Sequence, residues 1–197
     1  MPRAGENWEH RVSTTYILDG IWGWHDRWEP MRRHIEKTVG PCRIWKYNNS
    51  GRVSLETVAA ELAAELSARG ETFNLVGYSM GGLVARETIR QSPALPLHRA
   101  ALLHSPHGGS LVAHLLPVLP ACREMRPGSA FLRRLDAHEW LRPTMVTWCA
   151  ADLMVFPGKS ACWKKASHVL ESRVPAHAWP VVSRGIREKV AHFLSES

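Results

Sequence analysis

The sequence predicts an α/β fold, with a mostly parallel central sheet and helices packed on both of its faces. Three observations lead there. Short apolar runs and stretches of 3.6-residue apolar spacing take turns along the chain, the pattern of successive βαβ units. One junction, between Phe73 and Gln91, passes from an apolar run through a glycine-flanked serine directly into a helical pattern. No internal repeat or low-complexity linker interrupts the chain, so its 197 residues are read as a single domain, 1–197, built around one core.

Thr14 to Leu18 reads as the first strand, Trp28 to Val39 as a helix, and Arg43 to Tyr47 as a short strand closed by the turn Asn48-Asn49-Ser50-Gly51. The clearest helix follows. Ser54 stands at its N-cap, and Leu55, Val58, Ala59, Leu62 and Leu66 share one face. Glu61 and Glu65 stay outside, and Gly70 occupies the C-cap position. Phe73 to Val76 is then a buried strand, and Gly81 to Gln91 a helix stopped by Pro93. Ala100 to Leu103, Met145 to Cys149 and Val169 to Val174 complete the strands, and Val181 to Leu194 forms a closing amphipathic helix. In such a sheet, ligands sit beyond the carboxyl ends of the strands.

The chemistry-bearing motif is Gly77-Tyr78-Ser79-Met80-Gly81. Chance supplies a G-x-S-x-G in roughly one chain of this length in fifteen, so the motif alone is weak. Its setting between a strand and a helix strengthens it. The glycines permit a sharp turn that lifts the hydroxyl above the sheet, at the positive end of a helix. A serine hydroxyl needs a base, and the base needs a carboxylate to hold its tautomer. Asp152, just past the strand Met145 to Cys149, and His177, just past the last strand, supply these in the order Ser, Asp, His. Two competitors fit less well. Asp136 lies in a charged helical stretch and reads as solvated, and His168 begins a strand, so its side chain lies along the sheet. His104-Ser105-Pro106-His107 places two histidines close together, but Pro106 prevents a helical pair and no H-E-x-x-H pattern is present. No metal and no organic cofactor is expected.

Composition narrows the setting. Hydrophobic residues make up 45% and charged residues 22%, the range of a folded globular protein. The net charge of +7 comes from Lys and Arg scattered between Arg3 and Lys189 rather than clustered, so nucleic-acid binding is not expected and a transient membrane-surface contact stays open. The most apolar stretch, Leu111 to Ala121, contains His114, Pro117 and Pro120 and is too short to span a bilayer. Met1 to Glu9 lacks the apolar core of an export signal, and Cys42, Cys122, Cys149 and Cys162 form no C-x-x-C pair. A cytoplasmic, reduced protein is therefore expected.

With these motifs in hand, the chain resembles the lipase and esterase branch of the α/β-hydrolases, particularly small bacterial lipases with a minimal lid or none. The matching pieces are Leu18-Asp19-Gly20-Ile21, Gly77-Tyr78-Ser79-Met80-Gly81-Gly82, Ser105-Pro106-His107-Gly108-Gly109-Ser110, Ala150-Ala151-Asp152 through Val155, and His177 with its following helix. The resemblance implies a Ser79, Asp152, His177 triad and an oxyanion hole from the backbone N–H groups of Ile21 and Met80. His107, within the matching Ser-Pro-His segment, is a candidate substrate contact. The aromatic run Trp22, Trp24 and Trp28 differs from the family and either lines an acyl pocket, with Trp22 and Trp24 as substrate contacts, or covers the sheet edge. A further departure from the family is Asp19, which stands where His usually precedes the glycine. A carboxylate aimed at a developing oxyanion would repel it, so Asp19 is expected to turn away. The segment 110–141 falls where relatives carry lids. Its residues Leu111, Val112, Leu115, Leu116 and Leu119 form either the border of an acyl groove or one buried helical face.

The expected activity is hydrolysis of small-molecule or lipid carboxylic esters through an acyl-enzyme. The alternatives are a thioesterase or acyltransferase on the same triad, or an inactive α/β-hydrolase that acts as a binding protein.

Overall fold

A computed structural model describes residues 14–196. The N-terminal stretch read above as lacking an export signal lies outside the described residues. Six strands form one sheet in the order β2-β1-β3-β4-β5-β6, and every neighbouring pair is parallel. They are β1 (Thr14–Leu18), β2 (Cys42–Trp45), β3 (Phe73–Tyr78), β4 (Leu97–Leu103), β5 (Thr144–Trp148) and β6 (His168–Glu171).

The inner strands read as nearly continuous apolar runs because both of their faces are covered. Alternate residues divide between the two sides. Tyr16, Leu18, Leu75, Ala100 and Leu102 join one core, whereas Ile17, Val76, Ala101 and Leu103 join the other. Helices α2 (Leu55–Arg69), α3 (Met80–Gln91), α4 (Pro120–Glu124) and α5 (Ala130–Ala137) cover the first side. Helices α1 (Glu29–Thr38), α6 (Trp179–Val182) and α7 (Arg184–Ser195) cover the second.

Helix α2 forms where its caps predict. The Ser54 hydroxyl accepts from Thr57 N–H at 3.1 Å, and Gly70 closes the helix at φ 61°. The expected strand Arg43 to Tyr47 is shifted to Cys42–Trp45, and the closing helix is broken in two. Pro180 opens α6, and Ser183 ends it while capping α7 by accepting from Ile186 N–H at 3.2 Å. The last strand is also shorter than Val169 to Val174. Its ladder ends at Ser172, whose N–H reaches Trp148 O at 2.7 Å, and the next residues leave the sheet.

Because β1 lies between β2 and β3, the chain runs outward through α1 on one face and returns through α2 on the other. The carboxyl ends of β1 and β3 therefore flank a point where the direction of winding reverses, and a crevice opens there. The sharp turn at Ser79 sits on that crevice.

Candidate active site

The turn between β3 and α3 is held in an uncommon conformation. Ser79 has φ 52° and ψ −120°, and such a backbone typically costs about 1–3 kcal/mol, so the surroundings must over-determine it. Ser79 N–H is bound to Leu103 O at 2.8 Å, and Gly82 N–H to Ser79 O at 3.1 Å. Close approach requires the flanking glycines. A Cβ on Gly81 would lie 2.4 Å from Leu18 O, and one on Gly77 would lie 2.6 Å from Gly82 Cα. The start of α3 thus presses against the end of β1, with its positive pole at Ser79.

The three residues expected to act together are adjacent in space. Ser79 Oγ lies 3.0 Å from His177 Nε2, and His177 Nδ1 lies 2.7 Å from Asp152 Oδ2. The consistent tautomer has Nδ1–H donating to the carboxylate and Nε2 accepting from the serine hydroxyl. Each comes from a loop at the carboxyl rim of the sheet. Tyr78 OH donates to the His177 carbonyl at 3.1 Å and tethers the loop that follows β6. Asp152 is 1% exposed, and burial by itself would raise its pKa. The His104 imidazole 3.2 Å away, the hydrogen bond to His177 and a further one from Val155 N–H more than offset that and hold the carboxyl well below its usual range. Its other oxygen, Oδ1, accepts from Met154 N–H at 2.9 Å and Val155 N–H at 3.0 Å.

Across from this relay runs the loop after β1. Asp19 is fully buried and turned away from Ser79, accepting from Gly20 N–H at 2.7 Å and from the Arg27 guanidinium at both carboxylate oxygens. Tyr47 OH donates to Asp19 O, and Asn49 Nδ2 donates to Gly20 O at 2.9 Å and Gly23 O at 2.8 Å. Trp22 N–H is bound to Asn49 O and Gly23 N–H to Gly20 O. Of the four N–H groups in 20–23, that of Ile21 is the one with no acceptor among the described residues. Met80 opens α3, where a backbone N–H has no partner within the helix. The departure at Asp19 is thus neutralised by Arg27, which shields the site from an unpaired negative charge. Arg27→Met leaves that carboxylate buried without its partner. The expected loss is about 3 kcal/mol of unfolding free energy in a denaturant titration, and Asp19→Asn in the same chain should recover most of it.

A cavity of about 290 Å³ opens beside Ser79, lined by Ile21, Trp22, Val112, Leu116, Met125 and Met154 among others. Segment 110–125 therefore supplies a wall of the cavity rather than a buried helical face. Leu111 and Leu115 are 49% and 77% exposed, while Val112 and Leu116 face the cavity. Short turns and the five residues of α4 replace a long lid helix. Trp22 lines the cavity. Trp24 does not, because the 3₁₀ turn His25–Trp28 begins directly after it and leaves its ring 71% exposed beside Arg27. Trp28 belongs to the core, against Tyr78.

His107 likewise does not line the cavity. It is buried beneath Trp163 at 5.2 Å, with Nδ1 3.3 Å from the buried guanidinium of Arg86, and desolvation, reinforced by that charge, depresses its pKa. Arg86 also pairs with Asp136, which is exposed on α5 as expected yet not free. His168 packs edge-on against Phe193, away from Ser79.

Two site residues escaped the sequence. Arg27 is eight residues from Asp19 with a turn between them. His104 follows β4 and was visible only as a neighbour of His107, from which its ring diverges. His104, Asp152 and His177 bring potential metal-ligating atoms within 4.8 Å of one another, and of these Asp152 Oδ2 and His177 Nδ1 are already paired with each other in the relay. No helix among the described residues is long and apolar enough to cross a membrane.

The chain has the α/β-hydrolase fold. It is similar to the mature form of the Bacillus licheniformis lipase BlEst2, with a TM-score of 0.75 and 17% identity over 98% of this chain and 97% of that one. A monoacylglycerol lipase from Paleococcus ferrophilus matches at a TM-score of 0.70 and 12% identity, covering 92% of this chain and 93% of the other. Lipase B of Aspergillus fumigatus matches at 0.72 and 14%, covering 100% of this chain and 55% of the other. No protein-family model and no curated protein matches the sequence.

Proposed function

We propose that this protein is a serine hydrolase that cleaves carboxylic esters with apolar acyl groups. The observation that carries this reading is the relay from Ser79 through His177 to Asp152, opening onto an apolar cavity with two backbone donors at its edge. Ser79 Oγ adds to the acyl carbon while its proton passes to His177 Nε2, and Asp152 stabilises the imidazolium. The carbonyl oxygen becomes an oxyanion between the N–H groups of Ile21 and Met80, each worth about 3–4 kcal/mol toward the transition state. Collapse breaks the bond to the alcohol oxygen, which takes the proton from His177. Water then adds to the acyl-enzyme by the same path in reverse, releasing the carboxylic acid and restoring the serine hydroxyl.

The apolar lining supports an acyl chain as the recognised part of the substrate. Trp22, Leu111, Leu115, Met154 and Phe156 all expose apolar surface around this side of the molecule, and Leu111 N–H is bound to Phe156 O at 2.8 Å. A lipid ester fits that surface better than a charged one.

Hydrolysis of p-nitrophenyl acetate, butyrate and octanoate, with the corresponding acyl thioesters, tests the reading. Esters should be cleaved, with kcat/KM rising from acetate to butyrate. Val112→Trp fills part of the cavity and should lower kcat/KM for octanoate relative to acetate by about tenfold or more. Cleavage of thioesters alone would move the assignment to a thioesterase, and cleavage of neither would reject it.

A further inference from the structure

His104 lies against the relay, although no step above uses it. It follows the last residue of β4, is fully buried, and holds φ 47°, a backbone region that a bulky side chain seldom adopts. Its N–H is bound to Thr147 O at 2.9 Å, so β5 keeps that conformation in place. Its Nδ1 is 3.2 Å from Asp152 Oδ2, the same oxygen that faces His177 at 2.7 Å. The two imidazole centroids are 6.0 Å apart. Apart from this approach to Asp152, neither ring nitrogen of His104 has a polar partner among the described residues. A buried, otherwise unpartnered imidazole on a strained backbone is doubly unfavourable, and such costs persist where a group is required in one place.

We propose that His104 is a positioning residue for Asp152, its Nδ1–H engaging Oδ2 and keeping that oxygen aimed at His177 as the imidazolium forms and decays. His104 does not line the cavity and acts only through the carboxylate. The other ionisable groups in this neighbourhood are His177 and Tyr78, with Arg27 and Asp19 beyond the tyrosine ring. A donor on Oδ2 draws charge away from the His177 contact. Without it, the carboxylate attracts the His177 proton more strongly, and the acid limb of kcat/KM moves upward.

The inference rests on Ser79 being the nucleophile, and the test separates the two. H104N places an amide N–H near the position of Nδ1, and asparagine tolerates positive φ. H104G tolerates the same backbone without a donor. On p-nitrophenyl butyrate, H104G should lose roughly tenfold in kcat with little change in KM, and its acid limb should move to higher pH. H104N should stay close to the parent protein in both respects. If H104G does not fold, H104A takes its place in the comparison. The kcat difference between H104N and the donor-less variant, together with the limb shift, supports the assignment; absence of either overturns it. Ser79→Ala is measured alongside, since full activity there rejects the nucleophile whatever the His104 variants do.

Discussion

Ser79→Ala and His177→Ala are each expected to lower kcat on p-nitrophenyl butyrate by about 10⁵- to 10⁶-fold, with the double variant no worse than either single one. The equality follows from geometry. Ser79 Oγ and His177 Nε2 are 3.0 Å apart, so attack and proton transfer form one event, and either variant abolishes that event. The activity that survives should come from the Ile21 and Met80 donors and from substrate binding, which neither substitution touches. A fluorophosphonate should label the parent protein on Ser79 and leave Ser79→Ala unmodified. Undiminished hydrolysis in either single variant would remove that residue from the mechanism.

Asp152→Asn is the second large effect, expected at about 10⁴-fold in kcat with KM nearly unchanged. The amide keeps the shape of the side chain, but its NH₂ group disfavours the tautomer with Nδ1–H toward residue 152. The same residue should leave a mark on stability. Its folded carboxyl titrates well below the unfolded value of about 3.9, so its contribution is present above that value and disappears as the pH falls further. Between about pH 5 and pH 2 the parent protein should therefore lose unfolding free energy more steeply than Asp152→Asn. Parallel pH dependences in guanidinium titrations would show that Asp152 is not held ionised by its hydrogen bonds.

The sheet was legible because its strands must be apolar on both faces, and helix α2 because its caps and apolar stripe agree. The Ser79 turn was legible because glycines on both sides of it mark a backbone that few other residues allow. Asp152 and His177 could be found by their places after β5 and β6. What stayed hidden depends on long-range pairing. Nothing local to Asp19 announces that Arg27 returns to neutralise it, and nothing in His107 announces that Arg86, on α3, is buried beneath it with Asp136 as counter-ion. Trp22 and Trp24 share one aromatic run, yet a single 3₁₀ turn sends one to the cavity and the other to solvent. The break at Ser183 was obscured because Val181 and Leu194 keep an apolar rhythm across it.

Strand β6 forms one edge of the sheet. An edge strand has a neighbour on one side only, and here Val169 and Glu171 are exposed to water. Yet the loop it launches carries His177. On the proposed mechanism, turnover therefore depends on the periphery of the sheet as well as on its well-buried middle, and local opening at that margin would displace His177 while the core is still intact.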